Sequence, residues 1–572
     1  MKNNVLLFIA LFLLLSCGLS AQSTNLEWAK QFNGFSSIVS TDFTVDKSGN
    51  VFTAGEFIEE VDFDPGSGEF NLSATNGNIF FSKLDADGKF VWAKQLTIPP
   101  SDRQGVNIRE IKSDENGNIY IVGTYHGTID FDPGQGAFTM SAYTRSIYIL
   151  KLTSAGEFVW AKQFDSNPPG GYAEITSVEI TDNFIYTSGT FNSTYDFDPG
   201  TDTFLLTSTP GTPSLSVFIS KLDIDGNFVW AKSIGNLFDT RTIDLSVDQM
   251  AEVYIIGYFS GEVDFDPNAD STKLNANGTK SFLLKLNAEG NFVWVKELAG
   301  NRLTGISIDA MGNIIIAGEF EEASDFNPGA GIFTLTPKGY SSIFILKLDY
   351  NSNFTWAKKI EGNGFNVANS LDIDNPGNIY INGKFSDTVD FDPGNGKAKL
   401  IANGTDIFIA KFNPSGEFVW AKHMGSVGYA NAYYKTIVYE SSNVYTQGWF
   451  EGTVDFDPET SIVNLTSASR GDIFIQKLSQ TTTGITEDIL KETSPAFPNP
   501  TSGNILIANP FKTDQQKVHI AIYTVEGRNV TEYSATIQDK ISIDLSKEQP
   551  GAYIIKLTSS TECFVAKVNV LR

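Results

Sequence analysis

The stretch VFISKLDIDGNFVWAK, residues 217–232, decides the fold. Two runs of apolar and alternating residues flank Asp223-Ile-Asp-Gly-Asn227, the composition of a tight turn between two antiparallel strands. No helical periodicity runs through it. The same hairpin returns along the chain. Tryptophan followed by Ala-Lys or Val-Lys stands at Trp28, Trp92, Trp160, Trp230, Trp294, Trp356 and Trp420, at intervals of 62 to 70 residues. A Gly-x-aromatic step recurs at Gly55, Gly123, Gly189, Gly257, Gly318, Gly383 and Gly448. Asp-Phe-Asp-Pro or a near copy starts at Asp62, Asp130, Asp196, Asp264, Asp325, Asp390 and Asp455. A lysine closes an apolar run at Lys83, Lys151, Lys221, Lys285, Lys347, Lys411 and Lys477. Four markers each count to seven. With four strands per copy, this predicts an all-β fold, a seven-bladed β-propeller. The phase of the repeat predicts how the ring closes. The chain enters on a Trp-bearing strand, 26–32, with no hairpin partner before it, and leaves on 474–478 with no Trp-bearing partner after it. The first strand is therefore expected to complete the last blade, which removes open sheet edges.

Composition narrows the function. The 572 residues are 41% hydrophobic and carry 67 acidic against 41 basic side chains, a net charge of −26. That field repels phosphate backbones and argues against nucleic acid as a partner. Residues 1–21 read as a signal peptide: Lys2, the apolar run 5–15, then Ser20-Ala21 before Gln22. The run is too short for a membrane span, and no later segment is apolar enough for one. Leu14-Leu15-Ser16-Cys17 offers a competing reading, a lipoprotein box that would acylate Cys17. The only other cysteine is Cys563, so after cleavage no disulfide can form within the chain. The expected location is secreted or on the outer-membrane surface.

Two resemblances add to this. Lys221-Leu222, the Gly-x-x-x-Trp element at 226–230 and the Gly-Asn-x-Tyr-x-x-Gly element at 377–383 resemble the bacterial SBBP propeller repeat. The resemblance covers about residues 25–479 and implies a fold and an extracellular or envelope setting, but no ligand. After a polar linker, Pro498-Asn-Pro-x-x-Gly503, the segment 523–527, Pro550-Gly-x-Tyr553 and Lys567-Val-x-Val570 resemble the C-terminal sorting domain of type IX secretion cargo from Bacteroidetes. That resemblance implies a small β-sandwich handled by the type IX secretion machinery. The expected domains are a signal peptide (1–21), the propeller (22–479), a linker (480–492) and the sorting domain (493–572).

Candidate chemistry centres on the repeated aspartates. Asp62, Asp64, Asp130, Asp132, Asp196, Asp198, Asp264, Asp266, Asp390, Asp392, Asp455 and Asp457 come in pairs separated by one residue, so each pair points one way from an extended chain. Seven such insertions are expected to form a carboxylate crown on one rim. There they would either hold Ca²⁺, which takes six to eight oxygens, or serve as turn residues before Pro-Gly. The Asp-x-Asp-Gly turns at 85–88 and 223–226 read as hairpin turns rather than Ca²⁺ loops. The tryptophans read as packing between blades; a quinone-dependent redox propeller lacks support, having no adjacent cysteine pair. His126, His423 and His519 form no metal-spaced group or triad. No acidic residue stands out from its six counterparts, so a unique site is expected in the irregular loops 97–106, 165–173 and 425–434, where Tyr429, Tyr433 and Tyr434 could stack on sugar. The expected function is a monomeric, non-enzymatic module binding a glycan or protein, with or without Ca²⁺. The alternatives are a polysaccharide hydrolase or lyase using carboxylates of the propeller face, and a purely structural disc.

Overall fold

The computed structural model describes residues 22–482 except 35–37, 99–104, 167–169, 209–214, 236–238, 269, 426–434, 440–441, 460 and 468–470. Beyond these it describes 496–497, 504–508, 516–524, 529–537, 540–547, 551–558 and 563–570. The signal-peptide residues with Cys17, most of the linker, and Tyr429, Tyr433 and Tyr434 lie outside the described residues. The chain separates into two compact units: Thr24–Gln480, and a second that contains Thr481–Arg572.

The larger unit is a β-propeller. Its antiparallel pairing falls into successive four-strand repeats. In the first, Ile38–Val45 is innermost, followed outward by Val51–Asp62, Asn71–Leu84 and Phe90–Leu96. The later repeats, units 2 to 6, span 106–166, 173–234, 240–298, 302–362 and 366–424. In the last, unit 7, Lys435–Tyr439, Asn443–Phe450 and Asp472–Thr482 are joined on their outer side by Gln22–Gly34 from the other end of the chain. Each inner strand lies against the next, and Lys435–Tyr439 lies against Ile38–Val45, so the ring is closed.

The repeated residues earn their places in this packing. The glycine of Gly-x-aromatic has no alternative: a Cβ on Gly123, Gly189 or Gly257 would collide with a carbonyl of the paired inner strand and with the aromatic ring of the third strand. The inner strand bulges by one residue beside it, between Ile108 and Glu110, Ile175 and Ser177, and Thr242 and Asp244. The buried lysine lies over an aromatic ring of the second strand, as Lys151 does over Tyr120 at 5.0 Å. The tryptophan fits beneath the turn glycine of the next unit, Trp92 under Gly156 for example.

The Asp-Phe-Asp-Pro insertion does not stand up as a crown. The long hairpin folds back on itself at a bulge between Phe57 and Glu59, repeated between Tyr125 and Gly127 and between Ser386 and Thr388. Left-handed backbone at Glu59, Gly127, Ser193, Gly261, Asp387 and Gly452 makes the reversal. The driving force is burial of the phenylalanine between the aspartates. Phe63, Phe131, Phe197, Phe265, Phe326, Phe391 and Phe456 are each at most 1% exposed. Each lies 4.6–4.9 Å, ring to ring, from an aromatic of the third strand. It lies 5.1–5.6 Å from the aromatic of Gly-x-aromatic. Burying one such ring contributes about 1.5–3 kcal/mol. Phe70, Phe138, Phe204 and Phe333 then pack on the first residue of their own outer strand, at the end of the sheet far from the insertion's root. The hairpin also clasps the preceding unit: Asp62 pairs with Asn33, Asp196 with Asp165 and Asp390 with Glu361.

The C-terminal unit has two sheets. Ala496–Phe497, Asn504–Ala508 and Lys540–Asp544 form one; Asn529–Ile537, Gln516–Thr524, Gly551–Thr558 and Cys563–Val570 form the other. Alternating residues of both (Ile505, Ile507, Ile541 and Ile543 facing Ile520, Ile522, Ile555 and Val568) share one core. Strands at 504–508, 518–524, 541–545, 552–557 and 564–571 are legible in the sequence. Asn529–Ile537 is not, because its polar run, Asn-Val-Thr-Glu-Tyr-Ser, hides the alternation.

Candidate binding site

The sequence-predicted metal residues are placed pair by pair, each pair in its own folded-back hairpin. Oδ1 of the first aspartate (Asp62, Asp130, Asp196, Asp264, Asp325, Asp390, Asp455) accepts two backbone amides at 2.8–3.3 Å, two and eight residues on. Oδ1 of the second (Asp64, Asp132, Asp198, Asp266, Asp392, Asp457, with Asn327 in the fifth copy) accepts one at 2.7–2.9 Å. These bonds close the turn, and a Cβ at Gly68, Gly136 or Gly396 would strike the second carboxylate. At Asp264 burial opposes ionisation, but the Ser271 hydroxyl and the amides of Asp266 and Thr272 outweigh it and hold the carboxyl below the usual range. Among the described residues no three His, Cys, Asp or Glu side chains come together as a metal-ligand group.

The irregular chemistry lies elsewhere, on the inner strands. A central cavity of about 530 Å³ is lined by every unit, and there the repeat breaks down. At the position just after the bulge stand Asp42, Glu110, Ser177, Asp244, Gly305 and Ser370 in units 1 to 6. The expectation that no acidic residue stands out is therefore corrected. Inner strands carry none of the four markers, so aligning the chain on those markers hides their differences.

The cavity is polar and of mixed charge. Lys435 Nζ lies 2.7 Å from Asp42 Oδ1 and 3.8 Å from Glu110 Oε1. Lys112 Nζ lies 3.5 Å from Glu110 Oε1 and 3.0 Å from Glu179 Oε2. Two lysines, Lys435 and Lys112, thus bridge three carboxylates, Asp42, Glu110 and Glu179, across units 7, 1, 2 and 3. Burial raises the Asp42 carboxyl, with the nearby Lys435 opposing. Burial acts the same way on Glu110, but Lys112 and Lys435 outweigh it and hold that carboxyl low. On the far side, burial and the charge of Glu110 push Asp244 up to about 6, and burial pushes Asp372 up to about 6. Neither has a lysine or arginine within ion-pair distance among the described residues.

These carboxylates also staple the ring. Asp42 accepts the amide of Ile111, Glu110 that of Val178, Asp244 that of Ile306, and Asp372 that of Val438, each in a later unit. Gly305 leaves open the space such a side chain fills: a Cβ there would sit 3.4 Å from Asp244 Oδ2. Of the three histidines, His126 lies on Ile119–Asp130, His519 lies in the C-terminal unit, and His423 Nδ1 meets Asp406 Oδ2 at 3.1 Å on an outer strand. None lines the cavity.

Residues 495–570 match the secretion system C-terminal sorting domain. The C-terminal unit is a sorting module. It marks the chain for export by the type IX system to the cell surface or beyond. An uncharacterized WD repeat-containing protein of Acanthamoeba polyphaga mimivirus is 25% identical over 445 residues, 65% of this chain and 32% of its own length. The chain thus spans about a third of that relative. Among solved structures, the Dos1 propeller has a TM-score of 0.34 at 8% identity, covering 79% of this chain and 96% of that one. The WD40 domain of SCAP from fission yeast has a TM-score of 0.31 at 8% identity, covering 80% and 98%. Among the described residues no helix is long and apolar enough to cross a membrane.

Proposed function

We propose that this chain is an exported, seven-bladed, non-enzymatic binding propeller that receives a polar ligand, a glycan or a peptide, in its central cavity. One observation carries the reading. Around a ring whose packing residues repeat almost unchanged, the cavity wall carries a different set of side chains from unit to unit. Hydroxyls of Thr41, Thr44, Thr176, Thr304 and Ser307, the amide of Asn369 and charges of both signs supply the donors and acceptors such a ligand needs. The carboxylates are engaged by main-chain amides or lysines, which suits a rigid site better than proton transfer.

The remaining parts of the proposal follow the same line. Residues 1–21 are a leader, 22–479 form a monomeric propeller latched by its first strand, 480–492 are a linker, and 493–572 are a β-sandwich. SBBP-like repeats and a Bacteroidetes-type tail fit this arrangement. Asp244 and Asp372, whose carboxyls burial pushes up to about 6, favour one second reading: a hydrolase or lyase acting on polysaccharide. A glycan and peptide array probed with the full chain, followed by calorimetry on hits, separates the two. Binding that is lost in Arg109→Ala and Asn369→Ala, with the ligand recovered intact, supports the binding module. Cleaved ligand supports the enzyme, and hits unaffected by cavity variants reject the cavity as the site.

A further inference from the structure

Six of the seven units send a side chain from the position just after the inner-strand bulge to the neighbouring unit. Asp42 takes the amide of Ile111, Glu110 that of Val178, Asp244 that of Ile306, and the Ser370 hydroxyl that of Thr436 at 3.0 Å. Ser177 donates to Asp244 Oδ1 at 2.8 Å, and Lys435 turns to Asp42. Unit 5 has Gly305 at this position and sends nothing. The amide it would meet is that of Leu371. Leu371 pairs with Ile381 as Ile111 pairs with Ile121, Val178 with Thr187 and Thr436 with Thr446. The shared register turns the Leu371 N–H toward the place that the glycine leaves empty.

Nothing local requires a glycine there. Its backbone is not left-handed, and a Cβ would lie 3.4 Å from Asp244 Oδ2, 3.5 Å from Leu371 Cβ and 3.9 Å from the Leu371 nitrogen, all ordinary contacts. The space belongs to the central cavity, which Thr304, Gly305, Leu371, Asp244 and Asn369 all line. Asn369, the bulge residue of unit 6, has its Nδ2 buried without a hydrogen-bond partner. The space is therefore bordered by a carboxylate oxygen that can take a donor and by N–H groups that need acceptors.

We infer that the space at Gly305 is a subsite for a ligand hydroxyl, and that the ligand of the cavity is a sugar. This rests on the cavity being the binding site. A hydroxyl donates and accepts through one oxygen. Donating to Asp244 and accepting the Leu371 amide, it stands where a side chain stands in the other units. A peptide carbonyl only accepts and an ammonium group only donates, so neither serves both sides. Asn369 Nδ2 is a donor for a further sugar oxygen.

Saturation-transfer NMR on the full chain tests this, with the methyl glycosides of glucose, galactose, mannose and N-acetylglucosamine as probes and trialanine as the peptide comparison. At least one glycoside is expected to bind the unaltered chain. Gly305→Ser, whose hydroxyl fills the subsite as Ser370 fills its own, should weaken that binding about tenfold or more. The same variant should melt no lower than the unaltered chain, because it gives the Leu371 amide an acceptor. A melting temperature lowered by several degrees would show that the space is not open, and would overturn the subsite. Should Gly305→Ser not fold, Gly305→Ala decides, its methyl blocking the same space. Binding that is lost in Arg109→Ala but unchanged in the Gly305 variants would reject the subsite and leave the cavity as the binding site. Binding unchanged in all of them would remove the cavity as well. No bound glycoside, or binding of trialanine alone, would reject the sugar.

Discussion

A single phenylalanine shows how much one residue decides in this ring. Phe391, between Asp390 and Asp392, is fully buried against Phe385 and Phe408, and its burial pulls the hairpin down onto the sheet. Phe391→Ala is expected to cost about 3–5 kcal/mol in denaturant unfolding. Asp390→Ala, which orphans the amides of Asp392 and Ala398, should cost only about 1–2 kcal/mol. Because the aspartates' Oδ1 atoms serve the turn, Ca²⁺ and chelator are expected to leave the melting temperature unchanged. An upward shift with Ca²⁺ would restore the metal reading. The Asp-Phe-Asp-Pro element was legible in the sequence, but attention falls on its charges. Period-two alternation cannot reveal that the residue between them is the anchor, because the chain reverses there.

At the scale of the element, the hairpins are written plainly in the sequence and the bulges are not. The turn Asp223-Ile-Asp-Gly-Asn227 has Asp223 Oδ1 accepting the amides of Asp225 and Asn227, as its composition implies. The inner strands read only as short alternating runs. Their bulge appears once the strand is paired and a carbonyl presses on the glycine of its neighbour. Gly189→Ala is therefore expected to destabilise by about 2–3 kcal/mol, since both Glu174 O and the Phe218 ring block a Cβ. Gly170→Ala, with open space around it, serves as a control for strain alone, its φ being +132°. A larger loss for Gly170→Ala than for Gly189→Ala would show backbone strain, and not the close approach, to be the governing term.

For the whole molecule the cavity makes a prediction of definite sign. Asp244 and Asp372 titrate near 6 in the folded ring, above the ordinary carboxylate value. Their contribution is fully present below about pH 4 and is lost as pH rises through about 6. Asp244→Asn should thus gain on the unaltered chain between about pH 4 and pH 7, by on the order of 1–2 kcal/mol in paired melts. A pH-independent difference would show that the carboxyl is not perturbed by burial. What the sequence by itself determined was everything that repeats: strands, turns, the seven copies, and the first strand's place in the last unit. These follow from local hydrophobic period and turn chemistry, which each copy states again. Only the tertiary structure decided what the repeats leave out. Inner strands 60 to 70 residues apart meet only when the ring closes, so the asymmetric cavity is invisible along the chain. Folded-back hairpins likewise depend on strands that meet only in the packed sheet, because burial and close approach are properties of the folded ring and not of any one segment.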